Sequence, residues 1–251
     1  MTLDQLEGRN PVLECLQRGK RRVHRVLLDR GAKPDVRVRK IIELASQCGA
    51  PVERVARQKL DQVASGRVHN GVIAMADPLQ NWTARALLDD ILRREDEPFV
   101  VLADALAYEH NLGAVLRSCL AFGVHGLFLP SRRGAGLSPV VQRVAMGAAE
   151  VIPVARESLF TPLKALKKAG VSIMGADMDG GPCDQARMSG PLALVLGAEG
   201  RGLSPTLRAR CDSVVSVPLA GQLESLNVSV AGGILMYEKR RQDGWKATSG
   251  G

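Results

Sequence analysis

The stretch LVLGAEGRGLSP, residues 194–205, places three glycines and a glutamate directly after an apolar strand pattern. Glycine loops at the carboxyl ends of strands often form ligand sites in α/β sheets, because the backbone there can approach a ligand closely. The loop reads G-x-x-G-x-G, which is neither the G-x-G-x-x-G dinucleotide pattern nor the G-x-x-x-x-G-K-[ST] phosphate loop. This argues against a dinucleotide enzyme and against a P-loop ATPase. Considered alone, the loop also fits a simple tight turn.

Two other segments have the same character. HNLGAVLRSCLAFG, residues 110–123, comes shortly after the apolar strand at residues 99–103, and VPLAGQLESLNVSVAGG, residues 217–233, begins where another strand ends. From residue 98 onward, continuous apolar strands alternate with helical patterns, which predicts an α/β fold with a parallel sheet covered on both faces. The carboxyl ends of parallel strands share one edge, so we expect the three segments to meet there.

Together the three segments closely resemble the signature motifs of the SpoU (TrmH-like) family of RNA ribose 2′-O-methyltransferases, over residues 99–243. RVAMGAAEVIP, residues 143–153, also resembles the corresponding segment of members that methylate guanosine in large-subunit (23S) ribosomal RNA. The resemblance implies a SPOUT-type parallel sheet whose C-terminal segment is tied in a deep trefoil knot. It further implies S-adenosyl-L-methionine as cofactor, bound in the knot, and a homodimer with active sites at the subunit interface.

Motif by motif, the resemblance assigns residues. The first motif matches Asn111 and Arg117, the second Gly197 and Glu199, and the third Ser225-Leu226-Asn227. The catalytic residues that it implies are Arg117, Asn111, Glu199, Ser225 and Asn227. The cofactor-binding residues that it implies are Gly197, Glu199, Gly200, Val217, Pro218, Leu219 and Leu226.

Arg117 has two interpretations within the reaction. The family assigns it to activating the ribose hydroxyl, but a guanidinium stays protonated, so binding the target phosphate and stabilising a developing alkoxide is the easier role. Each matched residue also has a purely structural interpretation. Arg117 could pair with a surface acid, the Asn and Ser residues could cap helices, and Glu199 could satisfy backbone amides.

Two positions depart from the family pattern. Tyr108-Glu109 stands where members usually have Asp-Pro, and Leu223-Glu224 stands where small residues are common. Neither replaces a matched residue, so the reaction class is unaffected. The first departure bears on loop shape or RNA contacts, and both make target preference harder to assign.

The N-terminal third carries most of the positive charge. Residues 1–77 hold 15 Lys and Arg against 9 Asp and Glu, out of a net charge of +8. A basic surface of this kind suits RNA phosphates, although an Arg-rich solvated surface explains it equally well. Alternating short helices and strands resemble the L30e-like RNA-binding domain found in front of many family members. We expect an RNA-binding domain over residues 1–77, a linker over 78–97, the catalytic domain over 98–245 and a disordered tail over 246–251.

Other features exclude classes of protein. The five cysteines are scattered singly and the four histidines lack zinc-ligand spacing, so no metal site is expected. For Cys119, in the first motif, a buried helix position is favoured over a nucleophilic role. No apolar run approaches the roughly 20 residues of a membrane span, and the N-terminus lacks a signal-peptide pattern, so we expect a cytoplasmic protein.

Two kinds of alternative remain open. One is a non-catalytic RNA-binding or ribosome-assembly factor, which the basic N-terminal region would allow but which gives no reason for the third motif. The other is a 2′-O-methyltransferase acting on transfer RNA or on an antibiotic-binding loop of ribosomal RNA. The L30e-like region favours ribosomal RNA as the partner.

Overall fold

The structure, a computed structural model, describes residues 3–33, 35–65, 68–94 and 97–245. The predicted tail of residues 246–251 lies outside them. The strands are β1 Asp4–Glu7, β2 Val23–Asp29, β3 Val52–Val55, β4 Val72–Ala76, β5 Phe99–Ala103, β6 Gly126–Leu129, β7 Val154–Arg156, β8 Ser172–Pro182, β9 Leu192–Leu196 and β10 Ser213–Ser216. The helices are α1 Arg9–Arg18, α2 Val36–Gln47, α3 Arg57–Val63, α4 Ala84–Arg94, α5 Glu109–Ala121, α6 Pro139–Val144, α7 Phe160–Lys168, α8 Pro205–Arg208 and α9 Val228–Gln242, with a 3-10 helix at Ala148–Glu150.

The chain divides into two compact units, each with its own sheet. The first comprises Met1–Gln80 and Gly136–Val151, and the second comprises Asn81–Ala135 and Ile152–Gly251. In the first unit the strand order is β1-β4-β2-β3, with β2 and β3 parallel and the other pairs antiparallel. Apolar residues of α1 and α2 pack on one face of this sheet, and Leu60 of α3 packs on the other.

Residues 136–151 join the first unit through two ion pairs whose carboxylates are buried. The guanidinium of Arg21 contacts the carboxylate of Glu150, and Arg143 Nη1 lies 2.7 Å from Glu7 Oε2. Between them, Gly147 has φ of 98°, and a Cβ there would lie 2.9 Å from Cβ of Glu14. Arg21 is therefore not part of the basic surface that the sequence predicts. The other Lys and Arg residues between positions 18 and 25, namely Arg18, Lys20, Arg22 and Arg25, are exposed.

The second unit contains a six-stranded parallel sheet in the order β10-β8-β9-β5-β6-β7. Residues of α4, α7 and α8 pack on the face that carries Val100 and Leu102. Helix α9 lies on the opposite face and packs beside α5. It approaches the sheet closely there, since a Cβ added at Gly232 would lie 3.0 Å from Cδ1 of Leu196. The predicted parallel sheet covered on both faces is confirmed.

The observed division differs from the expected one at two places. The expected linker of residues 78–97 contains α4, and its Ala84, Leu87, Leu88 and Ile91 are buried in the core of the second unit. Residues 136–151 fall within the expected catalytic range of residues 98–245 but belong to the first unit. Both differences arise from tertiary packing. The apolar face of the amphipathic helix α4 is buried in the core of the second unit, and the buried carboxylate of Glu150 pairs with Arg21 in the first.

After the edge strand β10, the chain returns past β8 and β9 to place α9 beside α5. This path is consistent with the trefoil knot that the family resemblance implies, and the knot stays a prediction. Among the residues that the structure describes, no helix is long and apolar enough to cross a membrane.

Candidate active site

A cavity of about 580 Å³ opens in the second unit at the carboxyl ends of β9 and β10 and beside the middle of β8. Its floor is apolar and includes the buried side chains of Leu196, Val215 and Leu235. Its walls come from the loops after β9 and β10. The lining contains Asn111, Gly197, Glu199, Gly200, Val217, Pro218, Leu219, Ser225, Leu226 and Asn227. The structure therefore brings together every predicted site residue except Arg117.

The loop after β9 closes tightly on itself. The N–H of Ala198 donates to the carbonyl of Gly202 at 2.9 Å, and the N–H of Gly202 donates back at 3.1 Å. Gly200 and Gly202 have φ of 70° and 63°, a left-handed conformation that side chains disfavour. A Cβ at Gly197 would lie 2.3 Å from the backbone carbon of Gly202. Glycine at 197 is thus required by the return of the loop itself.

Glu199, at the tip of this loop, begins a chain of hydrogen bonds. Its carboxylate accepts from Asn111 Nδ2 at 2.6 Å and from the backbone N–H of Tyr108 at 3.3 Å. Asn111 Oδ1 accepts from Asn227 Nδ2 at 3.0 Å, and Asn227 Oδ1 accepts from the backbone N–H of Ser229 at 2.9 Å. We call Glu199, Asn111 and Asn227, which come from the three motifs, the polar cluster.

The orientation of both amides in the polar cluster is fixed from its two ends. The Ser229 N–H can only donate, so the Asn227 oxygen faces it and its nitrogen faces Asn111. A carboxylate can only accept, so the Asn111 nitrogen faces Glu199. Asn227 is therefore both the cap of α9 and a member of the cluster, whereas Asn111 lies within α5 and does not cap it.

Arg117 lies apart from the cavity. It follows Asn111 by six residues on α5, which places it about 120° around the helix and about 9 Å along the axis. Its side chain is exposed and is not among the described residues that line the cavity. Cys119 is fully buried, and burial raises the pKa of its thiol, which makes it a poor nucleophile.

Asp177 also lines the cavity and is not among the predicted site residues. Its carboxylate accepts from the backbone N–H of Leu203 at 2.9 Å and lies 3.4 Å from Arg208 Nη1. A side chain at Gly202 would collide with this carboxylate. Asp177 therefore holds the end of the glycine loop. Its only sequence signal is its position directly after residues 171–176, whose apolar pattern predicts a strand.

Comparison with known proteins identifies the family. The profile of the SpoU rRNA Methylase family matches residues 98–237, and that of the RNA 2′-O ribose methyltransferase substrate-binding domain matches residues 5–82. A protein assigned to the TrmH family of tRNA/rRNA methyltransferases, YacO of Bacillus subtilis, is 36% identical over 246 residues, covering 95% of this chain and 96% of that protein. The chain belongs to the SpoU family.

Further relatives agree with this assignment. An uncharacterized tRNA/rRNA methyltransferase of Mycolicibacterium vanbaalenii is 39% identical over 237 residues, covering 94% of this chain and 75% of that protein. The fold is similar to that of the SpoU methyltransferase AviRb from Streptomyces viridochromogenes, solved with AdoMet, with a TM-score of 0.77 at 24% identity over 96% of this chain and 90% of that one.

SpoU membership confirms the predicted enzyme class, an RNA ribose 2′-O-methyltransferase, and the predicted N-terminal substrate-binding domain. It leaves the RNA target open, because the relatives are named for both tRNA and rRNA. Within the described residues, no group of three or more His, Cys, Asp or Glu side chains is arranged to hold a metal ion.

Proposed function

We propose that this SpoU enzyme transfers the methyl group of S-adenosylmethionine to the 2′-hydroxyl of a guanosine in large-subunit ribosomal RNA. The observation that carries the proposal is the polar cluster, which joins all three motifs at the rim of one cavity. The cluster is built from residues far apart in sequence, and simple helix capping does not require them to meet. The reaction is cytoplasmic, where its RNA is assembled.

The cavity fits the proposed cofactor in chemical character. Adenine needs an apolar slot with backbone partners, and the amino-acid end needs polar groups, which is the mixture that the lining provides. When bound, the cofactor supplies an electrophilic methyl group. Gly197, Gly200 and Leu226, together with Val217, Pro218 and Leu219, would hold it.

Replacement of Gly197 by alanine is expected to weaken S-adenosylmethionine binding by at least about tenfold. The added Cβ would collide with the backbone at Gly202 and Leu203, so the loop must move and carry Glu199 with it. Titration calorimetry measures the effect. Gly181→Ala is the matched control, because a Cβ there meets nothing within 4 Å. Equal affinities for the two variants would show that the loop does not bind the cofactor.

The polar cluster is suited to holding the target ribose. Asn227 and Ser225 are exposed at the rim, and Asn111 is partly exposed. Glu199 and the cap of α9 fix the amide orientations before RNA arrives. Reactions that depend on alignment gain most from such preorganisation. Arg117 would bind the target phosphate and stabilise the alkoxide as it develops, or activate the hydroxyl as the family resemblance implies.

A homodimer is part of the proposal. Val230, Ile234 and Tyr237 of α9 are exposed and follow one another by four and three residues, so they share one face. Leu120 of the neighbouring α5 is also exposed. Exposed apolar side chains grouped on two packed helices are typical of a subunit interface.

Ile234→Asp is expected to convert the dimer to a monomer, because it places a charge in an apolar interface. Light scattering at micromolar concentration measures the mass. Val36→Asp, at an exposed position of α2 in the first unit, should leave the mass unchanged. A wild-type protein that is monomeric at this concentration would contradict the proposed interface.

Mapping of ribose methylation by mass spectrometry tests the target. Ribosomal and transfer RNA from cells with and without the protein are compared, and we expect one guanosine of large-subunit RNA to lose its mark. Three features support this choice. The first domain resembles the L30e-like domain and has exposed basic residues, and residues 143–153 resemble the corresponding segment of members that act on large-subunit RNA. If the mark were lost only from transfer RNA, the proposed target would be wrong and the proposed reaction would stand. Unchanged RNA would favour a non-catalytic assembly factor.

A further inference from the structure

Tyr108 stands at the open side of the cavity with its side chain in solvent. It lines the same cavity as Asn111 and Glu199, yet it is 69% exposed. The apolar floor residues Leu196 and Leu235, in contrast, are almost completely buried. The ring is therefore available to a ligand that approaches from solvent rather than to one enclosed by the floor.

The backbone of Tyr108 is held on both sides. Its N–H donates to the Glu199 carboxylate at 3.3 Å, and its carbonyl accepts from the N–H groups of Asn111 and Leu112 at 3.0 and 3.2 Å. The residue adopts an ordinary extended conformation with φ of −86°. The start of its side chain is thus fixed relative to the polar cluster, while the ring keeps its rotamer freedom.

The position of the ring relative to the polar cluster suggests its ligand. The backbone N–H of Tyr108 and Nδ2 of Asn111 donate to the same Glu199 carboxylate, at 3.3 and 2.6 Å, so the two residues lie side by side at the cavity. A ribose held by Asn111 would carry its base, one glycosidic bond away, within reach of the ring. Single-stranded RNA bases commonly stack on exposed tyrosine rings.

We propose that Tyr108 stacks on the base of the nucleotide whose ribose is methylated. This inference rests on the proposed function and adds a positioning residue to it. It also gives a physical role to the departure from Asp-Pro at this point of the first motif. Stacking accepts any base, so Tyr108 would order an unpaired target nucleotide rather than select guanosine.

Side-chain variants test the role without disturbing the polar cluster, because they keep the backbone N–H that binds Glu199. Methyl transfer to ribosomal RNA from cells lacking the protein is measured with saturating S-adenosylmethionine. Tyr108→Ala is expected to raise KM for RNA roughly tenfold or more. Tyr108→Phe should stay within about twofold of wild type, whereas Tyr108→Leu should resemble alanine because it has no aromatic face.

Two controls separate stacking from other roles. Phe160→Ala removes an exposed aromatic ring outside the cavity and should leave KM unchanged. Calorimetry and light scattering should give the wild-type cofactor affinity and mass for Tyr108→Ala. Weakened cofactor binding would assign the ring to adenine instead, and a changed mass would assign it to the subunit interface.

The outcomes distinguish this inference from the proposed reaction. An alanine variant with wild-type KM, or a leucine variant that restores it, would overturn the stacking role and leave the reaction standing. A wild-type enzyme that methylates no RNA would refute the reaction. In that case fluorescence anisotropy with a labelled single-stranded RNA decamer still tests the ring, and equal affinities of wild type and Tyr108→Ala would overturn it.

Discussion

A heterodimer with Arg117→Ala in one protomer and Glu199→Gln in the other is expected to methylate RNA at about half the wild-type rate. Each variant homodimer should lose at least about 100-fold. The reason is that Arg117 does not line the cavity of its own chain, whereas Glu199 does. If each site combines the cavity of one protomer with Arg117 of its partner, the heterodimer retains one site with both residues intact.

The heterodimer is obtained by co-expressing the two variants with different affinity tags and purifying over both. Incorporation of tritiated methyl groups into ribosomal RNA gives the rate. The control heterodimer pairs wild type with a chain that carries both substitutions. Sharing of Arg117 predicts that this control is inactive, because its one intact cavity faces a partner without the arginine. An inactive first heterodimer with a half-active control would place Arg117 in the site of its own chain.

The large effect of Glu199→Gln follows from the hydrogen bonds of the polar cluster. Two N–H donors, from Tyr108 and Asn111, point at the carboxylate. A glutamine amide keeps one accepting oxygen, and Oε1 of Glu199 lies 2.6 Å from Asn111 Nδ2 and 3.4 Å from the Tyr108 nitrogen, so one oxygen would have to accept both donors. The substitution also removes the negative charge. Two charge-assisted hydrogen bonds are thus replaced by weaker bonds to one neutral oxygen, and the orientation of Asn111 is held less firmly.

Local sequence pattern was sufficient for most strands of the second unit. The continuous apolar runs at residues 99–103, 126–129 and 192–196 predict strands, and β5, β6 and β9 lie there. Strand β1, DQLE, has no such pattern and was missed, since it forms only by pairing with β4. Strand β8 continues to Pro182 through polar and glycine residues because β10 pairs with it there. The apolar pattern of residues 151–154 predicts a strand there, whereas β7 begins only at Val154.

The candidate site was predictable where it depends on strand ends and the family motifs. The rule that ligands bind at the carboxyl ends of parallel strands placed the three motifs together, and the structure agrees. The separation of Arg117 from the cavity follows from helical spacing, since six residues turn it about 120° away from Asn111, but motif matching alone does not show it. Asp177 was missed because its role depends on the N–H of Leu203, a contact that no local pattern encodes.

Arg21→Met is expected to destabilise the first unit by about 3–5 kcal/mol, because it leaves Glu150 buried without its cation. The side chains of Arg21 and Glu150 are 4% and 3% exposed. All five N–H donors of Arg21 are satisfied, by Glu150 twice, by Asp4, by Gln142 and by the carbonyl of Asp77. Arg18→Met, at an exposed position paired with Glu14, is the matched control and should change stability by less than about 1 kcal/mol.

Urea unfolding can isolate this effect, because both tryptophans, Trp82 and Trp245, belong to the second unit. Far-ultraviolet circular dichroism reports both units, whereas tryptophan fluorescence reports the second. In Arg21→Met the dichroism transition should split, with one part moving to lower urea while the fluorescence transition stays in place. A single unsplit transition at the wild-type midpoint would mean that the buried ion pair does not hold the first unit together.

The loss caused by Arg21→Met should be smaller at pH 5 than at pH 8. Burial raises the pKa of the Glu150 carboxyl, and the Arg21 guanidinium acts against that shift, so its removal should raise the pKa further. A carboxyl whose pKa is raised on folding stabilises the folded state below its unfolded pKa, and this contribution is lost as the pH rises through the folded value. The negative charges of Asp4 and Glu14 also raise the pKa of the Glu150 carboxyl.

Adding Glu150→Gln to Arg21→Met should recover much of the stability at pH 8, since no buried charge is then left unpaired. A loss that is equal at both pH values would mean that water reaches Glu150 once the arginine is gone.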